Sequence, residues 1–127
     1  MKKIQTEEAP KAVGPYSQAI ETDQLVFCSG QIGIDPKNGS LVEGIENQTR
    51  QAMSNIANVL QAAGSDLDHV VKTTIFLANI GDYKTVNEIY GSYFTEHKPA
   101  RSAVQVAALP LGALVEIEMI AAKIIDY

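Results

Sequence analysis

The segment 114–124 constrains the fold of this chain more than any other, because a strand here would carry apolar residues on both faces. Side chains alternate between the two faces of a strand. One face would be entirely apolar, with Val115, Ile117, Met119 and Ala121. The other face would mix carboxylates with apolar residues: Glu116, Glu118, Ile120, Ala122 and Ile124. Helices on one side of a sheet would leave the second face uncovered. A monomer rarely tolerates a large apolar surface, so we expect a homo-oligomer.

The rest of the chain predicts strands that alternate with two helices. Runs rich in β-branched and aromatic residues predict strands, and apolar residues at helical spacing predict helices. Strands are predicted over residues 16–21, 25–34, 70–77, 102–107 and 114–124, with a bulge at Gly30 and a short edge strand over 2–6. A loop is predicted over 35–40. Helices are predicted over 45–63, where Gly64 ends the first, and over 81–96, where Asp82 lies near the cap of the second. This order is typical of an α+β or α/β layer with both helices on one face.

Length and charge narrow the function classes. A chain of 127 residues is expected to form one domain, residues 1–127. The net charge of -5 is not the overall positive charge typical of proteins that bind nucleic acid or anionic membranes. An anionic ligand would therefore need a local cationic site. The single cysteine, Cys28, cannot form an intrachain disulfide, and the N-terminus has no apolar stretch of the signal-peptide kind. We therefore expect a cytoplasmic protein.

Arg101 and Glu116 are the residues whose surroundings point to chemistry. Arg101 precedes an apolar run, and its planar guanidinium can donate two parallel hydrogen bonds to a carboxylate. Glu116 stands between Val115 and Ile117, where partial desolvation would suit a group that transfers protons. Together they would make a small active site. The alternative is that Arg101 is solvated and Glu116 lies on an exposed strand face.

Five landmarks make the chain resemble the reactive-intermediate deaminase (RidA/YjgF) family. They cover almost its whole length in order: 14–16 (GPY), 29–31 (SGQ), 71–74 (VKTT), 83–87 (YKTVN), and 99–102 (PARS) followed by 115–118 (VEIE). The resemblance implies a chorismate-mutase-like α+β fold of the bacillus type, with a six-stranded mixed sheet and two helices on one face. It also implies a homotrimer with a central barrel and with sites in the clefts between subunits.

The resemblance further implies a 2-iminobutanoate/2-iminopropanoate deaminase. Such an enzyme hydrolyses enamines and imines, among them 2-aminoacrylate and 2-aminocrotonate, to 2-oxo acids and ammonia without a metal or cofactor. Arg101 would bind the substrate carboxylate and Glu116 would position or activate water. The same pocket would be lined by Tyr16, Ser29, Gly30 and Asn87. Each of these four also has a structural interpretation: packing, a strand-end hydrogen bond, a bulge, or a solvent-facing position.

The chain departs from the family pattern at two places, and several residues and functions are alternatives to those above. The segment 96–99 is shorter than the usual family loop, and Ala103 stands where many deaminases carry a cysteine. Glu118 is the rival for the acid–base role, and the tyrosines of the second helix are predicted to be buried. Cys28 is expected to be a buried small hydrophobe, and His69 and His97 lack metal-ligand spacing. The alternative functions are a 2-oxo-acid-binding regulatory module and an endoribonuclease or translation inhibitor, which the net charge disfavours.

Overall fold

Six strands form one mixed sheet in the computed structural model, which describes residues 1–125. The strands of this sheet are β1 (Lys2–Ile4), β2 (Ala19–Glu21), β3 (Leu25–Ile32), β6 (Val70–Leu77), β7 (Ala100–Gln105) and β8 (Val115–Ala122), while β4 (Ile34–Asp35) and β5 (Ser40–Leu41) form a separate small hairpin. The order in the sheet is β1-β2-β3-β8-β6-β7, with β6 and β7 parallel and the other described neighbours antiparallel. The helices are α1 (Ile45–Ala62) and α2 (Tyr83–Gly91). The predicted α+β fold with a six-stranded mixed sheet and two helices is confirmed.

Both helices cover the same face of the sheet. The apolar side of α1 packs on β3 and β8, and the Tyr90 hydroxyl of α2 donates a 3.0 Å hydrogen bond to Oγ1 of buried Thr73 on β6. On β8 the apolar face predicted from alternation is buried against them. Each fully buried aliphatic side chain stabilises the fold by about 1.5–3 kcal/mol, so this layer holds the sheet and helices together. None of the helices in residues 1–125 is long and apolar enough to cross a membrane.

The opposite face of the sheet, which we call the open face, exposes apolar residues. Phe27 on β3 pairs with Ile120 on β8, and Phe76 on β6 pairs with Val104 on β7. Phe27 is 43% and Val104 is 44% exposed. Nothing within residues 1–125 covers this face. It is the surface on which the expectation of a homo-oligomer rests.

The second helix is shorter than predicted. Residues 80–82 form a 3₁₀ turn, and α2 itself ends at Gly91, a poor helix former. Asp82 is the N-cap residue of α2, as predicted, although its side chain makes no capping hydrogen bond. The side chain of Asn79 caps the 3₁₀ turn instead, accepting from the Gly81 amide at 2.8 Å. Phe94 lies beyond the helix yet remains buried, and the centre of its ring lies 4.8 Å from the centre of the Tyr90 ring. The apolar periodicity thus continued past the end of the helix.

Smaller differences concern strand bounds. The strand predicted over 16–21 begins only at Ala19, and β7 begins at Ala100 instead of residue 102. The predicted loop 35–40 contributes its two ends to the small hairpin. Residues 22–24 form the hairpin turn between β2 and β3. The predicted end of α1 before Gly64, at φ 74°, and the predicted irregularity of β3 around Gly30 are confirmed.

Replacing buried Gln18 with alanine is expected to lower the free energy of unfolding by about 2–3 kcal/mol. Its side chain accepts from the Thr6 amide at 2.7 Å and donates to the carbonyls of Thr6 at 3.0 Å and Pro10 at 2.8 Å, which fastens the N-terminal segment. Urea unfolding measures the difference. Gln24→Ala in the exposed hairpin turn is the matched control and should leave the midpoint nearly unchanged. Equal effects of the two substitutions would contradict the role of Gln18.

Candidate active site

Arg101 lies on the edge strand β7 and is held by side chains of α2. Its Nη1 donates to Oδ1 of Asn87 at 2.7 Å, and its Nη2 donates to the hydroxyl oxygen of Tyr83 at 2.8 Å. The guanidinium carbon lies 5.1 Å from the ring centre of Tyr90 and 5.6 Å from that of Tyr83. Positions 83, 87 and 90 recur at i, i+4 and i+7, so one face of α2 supplies all three contacts. The structure therefore brings Arg101 and Asn87 together.

Tyr83 is a functional candidate that the sequence analysis missed. It was predicted to be buried, and this was wrong: Tyr83 is 39% exposed. It is the first residue of α2 and faces the edge strand β7, where the core ends. Its i, i+4 spacing with Asn87 was the available signal. This spacing alone does not identify a site residue, because an aromatic residue at helical spacing usually belongs to the hydrophobic core.

The positive charge of Arg101 has neutral partners only. Both hydrogen-bond acceptors are uncharged oxygens, and no carboxylate within residues 1–125 lies at ion-pair distance from the guanidinium. A guanidinium has five N–H donors, and these two bonds use two of them. The remaining donors and the uncompensated charge allow Arg101 to bind an anionic ligand. Half-burial between β7 and α2 strengthens such a contact over one in bulk water.

Glu116 lies on the open face of β8, where the bulge in β3 approaches it. It pairs with Ile32 on one side and Phe76 on the other. A Cβ atom at Gly30 would lie only 2.8 Å from Cδ of Glu116, so the glycine leaves space for the carboxylate. Burial raises the pKa of Glu116, and the neighbouring charge of Glu118 raises it further. The expectation of a partly desolvated carboxylate is confirmed.

Ser29 directly precedes Gly30, and its hydrogen bonds link it to the segment that contains Tyr16. The Ser29 hydroxyl donates to the Ser17 carbonyl at 2.6 Å, and its amide donates to the Gln18 carbonyl at 3.0 Å. These bonds attach the segment that carries Tyr16 to the start of the bulge. Tyr16 is 51% exposed. Ser29 thus has a structural bond, and its hydroxyl oxygen keeps capacity to accept.

Arg101 and Glu116 point to opposite faces of the sheet. Residues directly opposite each other on neighbouring strands share a face. Arg101 pairs with Thr73, and Thr73 pairs with Met119, which places Arg101 on the helix face. Glu116 pairs with Phe76 on the open face. Within one chain, these two side chains therefore do not lie at the same site. We call Tyr83, Asn87 and Arg101 the arginine cluster, and Glu116 with Gly30 and its chain neighbour Ser29 the glutamate cluster. Tyr16 is linked to the glutamate cluster through the hydrogen bond from Ser29 to Ser17.

The other reactive side chains have local roles. Cys28 is buried, and burial raises the pKa of its thiol to about 12. Nδ1 of His69 lies 2.6 Å from Oδ1 of Asp66, and Nε2 of His97 lies 2.6 Å from the Val70 carbonyl oxygen. The fold therefore brings both histidines to the start of β6, and the second contact ties down the short segment before Arg101. Within the described part of the chain, no three His, Cys, Asp or Glu side chains form a potential metal site.

Comparisons with known proteins agree with one another. The profile of the family described as Endoribonuclease L-PSP matches residues 6–123. A mouse protein named 2-iminobutanoate/2-iminopropanoate deaminase is 52% identical over 96% of this chain and 91% of its own length. The crystal structure of RidA from the Antarctic bacterium Psychrobacter sp. PAMC 21119 superposes with a TM-score of 0.94 at 45% identity, covering 96% of this chain and 99% of the other. That of E. coli TdcF with bound serine has a TM-score of 0.94 at 38% identity, covering 98% and 100%.

Proposed function

Since this chain belongs to the Endoribonuclease L-PSP family, which includes the reactive-intermediate deaminases, we propose that it hydrolyses 2-imino and 2-enamino acids to 2-oxo acids and ammonia. The substrates are small species such as 2-aminoacrylate and 2-aminocrotonate, the enamine forms of 2-iminopropanoate and 2-iminobutanoate. Support comes from the mouse relative, which is named as a 2-iminobutanoate/2-iminopropanoate deaminase, and from the arginine cluster. The single observation that carries the proposal is the uncompensated charge of Arg101.

Arg101 binds the substrate carboxylate in this mechanism. The two neutral acceptors on α2 fix the plane of the guanidinium while leaving its charge intact. A carboxylate next to a fixed guanidinium gains charge-assisted hydrogen bonds in a known orientation. The imine carbon, adjacent to that carboxylate, is then held at a set distance from the protein. Positioning of this kind contributes much of the rate for a reaction that also occurs in free water.

Glu116 acts on the attacking water. The enamine first tautomerises to the imine, which takes up a proton on nitrogen. Glu116 accepts a proton as water adds to the carbon of the protonated imine, which gives a carbinolamine, and returns that proton to nitrogen. The C–N bond then breaks as the carbinolamine hydroxyl becomes the carbonyl, and the hydroxyl proton passes to the departing ammonia. The products are the 2-oxo acid and the ammonium ion, and no electrons are exchanged. A carboxyl whose pKa is raised toward neutrality is suited to both halves of this transfer.

The two clusters serve one substrate if they come from different subunits, and we propose a homotrimer with sites between neighbours. Arg101 and Glu116 face opposite sides of one sheet, so one chain cannot direct both at the same molecule. The edge position of β7 leaves the arginine cluster near a boundary that a second subunit can reach. The apolar residues of the open face, led by Phe27 and Val104, would line the central barrel. Closed rotational symmetry then creates three equal sites.

A coupled assay tests the proposed activity. Serine or threonine dehydratase generates the 2-enamino acid in place, and release of pyruvate or 2-oxobutanoate is followed with and without this protein. Faster release with the protein is the expected result. A rate equal to that of buffer would overturn the enzyme proposal and leave the alternative of a 2-oxo-acid-binding module. Direct titration with 2-oxobutanoate then tests that alternative.

The description of the family profile makes ribonuclease activity a second candidate. The net charge of -5 weighs against it, because nucleic-acid binding draws on neutralised phosphates. One ring nitrogen of each histidine contacts a local acceptor, Asp66 or the Val70 carbonyl. Cleavage of RNA by the pure protein, together with binding that weakens steeply with salt, would favour this candidate. Intact RNA under conditions of full deaminase turnover would exclude it.

A further inference from the structure

The hydroxyl of Tyr83 has a donor that its observed bond does not use. A phenol both donates and accepts, and the oxygen of Tyr83 already accepts from Nη2 of Arg101 at 2.8 Å. No other hydrogen-bond partner of this hydroxyl occurs within residues 1–125. The contact lies at the exposed edge of α2, where the side chain of Tyr83 is 39% exposed. The O–H of Tyr83 is therefore able to donate to a ligand beside the guanidinium.

We propose that Tyr83 is a substrate-binding residue whose hydroxyl donates a hydrogen bond to the same carboxylate that Arg101 binds. This inference rests on the proposed function, since it assumes a carboxylate at Arg101. The ionised carboxylate accepts about four hydrogen bonds, so it has room for the guanidinium and the phenol together. The bond from Arg101 polarises the phenol, and polarisation along a chain of hydrogen bonds strengthens the next donor.

The ring and the hydroxyl of Tyr83 make separable contributions. The ring lies 5.6 Å from the guanidinium carbon and contributes a cation–π contact that phenylalanine would keep. The hydroxyl alone contacts the carboxylate, which does not change during the reaction. Its interaction is therefore equal in the ground state and the transition state. Loss of such an interaction raises KM and leaves kcat nearly unchanged.

The test compares Tyr83→Phe with wild type in two measurements. In steady-state turnover the variant should show a KM raised by about tenfold or more and a kcat within about threefold of wild type. In direct titration the variant should bind 2-oxobutanoate more weakly by a similar factor. It should lose a smaller factor in affinity for the neutral analogue 2-oxobutanamide, because an amide oxygen is a weaker acceptor than a carboxylate. Tyr93→Phe, which removes a phenol hydroxyl from a side chain packed against the core away from Arg101, is the matched control and should behave as wild type.

Three results would overturn the role of Tyr83. They are unchanged affinity for 2-oxobutanoate, an equal loss of affinity for the acid and the amide, and a fall in kcat with KM unchanged. Circular dichroism establishes that the variant is folded. The titration needs no turnover, so it decides the role of Tyr83 even where wild type fails to hydrolyse the imine. Failure of the proposed function and failure of this inference are therefore distinguishable.

Discussion

Replacing Arg101 with alanine is expected to lower kcat/KM for 2-imino acids by about 10²- to 10³-fold, the usual cost of removing one member of a hydrogen-bonded charge pair. Arg101 carries an uncompensated charge beside α2, and its acceptors Asn87 and Tyr83 cannot replace that charge. Affinity for 2-oxobutanoate should fall by a similar factor. Arg101→Lys keeps the charge but loses the planar donor set, so its activity should lie between those of wild type and alanine.

Lys84→Ala is the matched control for Arg101. Lys84 is exposed on α2, the helix that contacts Arg101, and its removal changes the net charge of the chain by the same amount. It should leave kcat/KM within about twofold of wild type, because solvent and salt screen an exposed charge that makes no contact with the ligand. If the alanine variants of Arg101 and Lys84 lost activity equally, general electrostatic attraction would explain the effect. A specific carboxylate site at Arg101 would then be contradicted.

Replacing Glu116 with glutamine is expected to lower kcat by about 10²- to 10⁴-fold, the range for loss of a general base. Glutamine keeps the size of the side chain but cannot accept a proton from water. The affinity for 2-oxobutanoate, set by the arginine cluster, should change little. Glu118→Gln is the matched control, since Glu118 lies on the same face of β8 and is exposed. A collapse of kcat in the Glu118 variant with normal kcat in the Glu116 variant would reverse their assigned roles.

The pH dependence of kcat/KM is a second test of the acid–base role of Glu116. Burial raises the pKa of Glu116, so its basic form is lost as the pH falls through that raised value. The acid limb of kcat/KM should therefore lie above the usual glutamate range. The charge of Glu118 also raises this pKa, so Glu118→Gln should move the limb to lower pH. Glu116→Gln should abolish the limb, and a limb that survives in that variant would assign it to another group.

Local patterns predicted the elements that carry the two clusters. Alternation along 115–122 identified the buried and open faces of β8, and Gly64 marked the end of α1. Desolvation of Glu116 followed from its apolar neighbours. Asn87 was a candidate from the resemblance, and the structure places it against Arg101. These features depend on residues near one another in the chain or on one strand.

Features set by distant pairings were not predicted. The faces of Arg101 and Glu116 depend on how β6 pairs with both β7 and β8, and a shift of one residue in either register would reverse one of them. The exposure of Tyr83 depends on β7 being an edge strand, which helical periodicity does not reveal. The placement of Arg101 and Glu116 on opposite faces and the exposure of Tyr83 both follow from this long-range order.

Subunit mixing tests the shared site most directly. Arg101→Ala subunits still supply Glu116, and Glu116→Gln subunits still supply Arg101, so each pure variant is inactive for a different reason. In a closed trimer, every mixed assembly contains one junction where an intact Arg101 meets an intact Glu116. Equal amounts, unfolded and refolded together, should recover about one quarter of wild-type activity, because about three quarters of the trimers are mixed and each has one intact site in three. No recovery, while wild type refolded alongside regains full activity, would contradict a site built from two subunits.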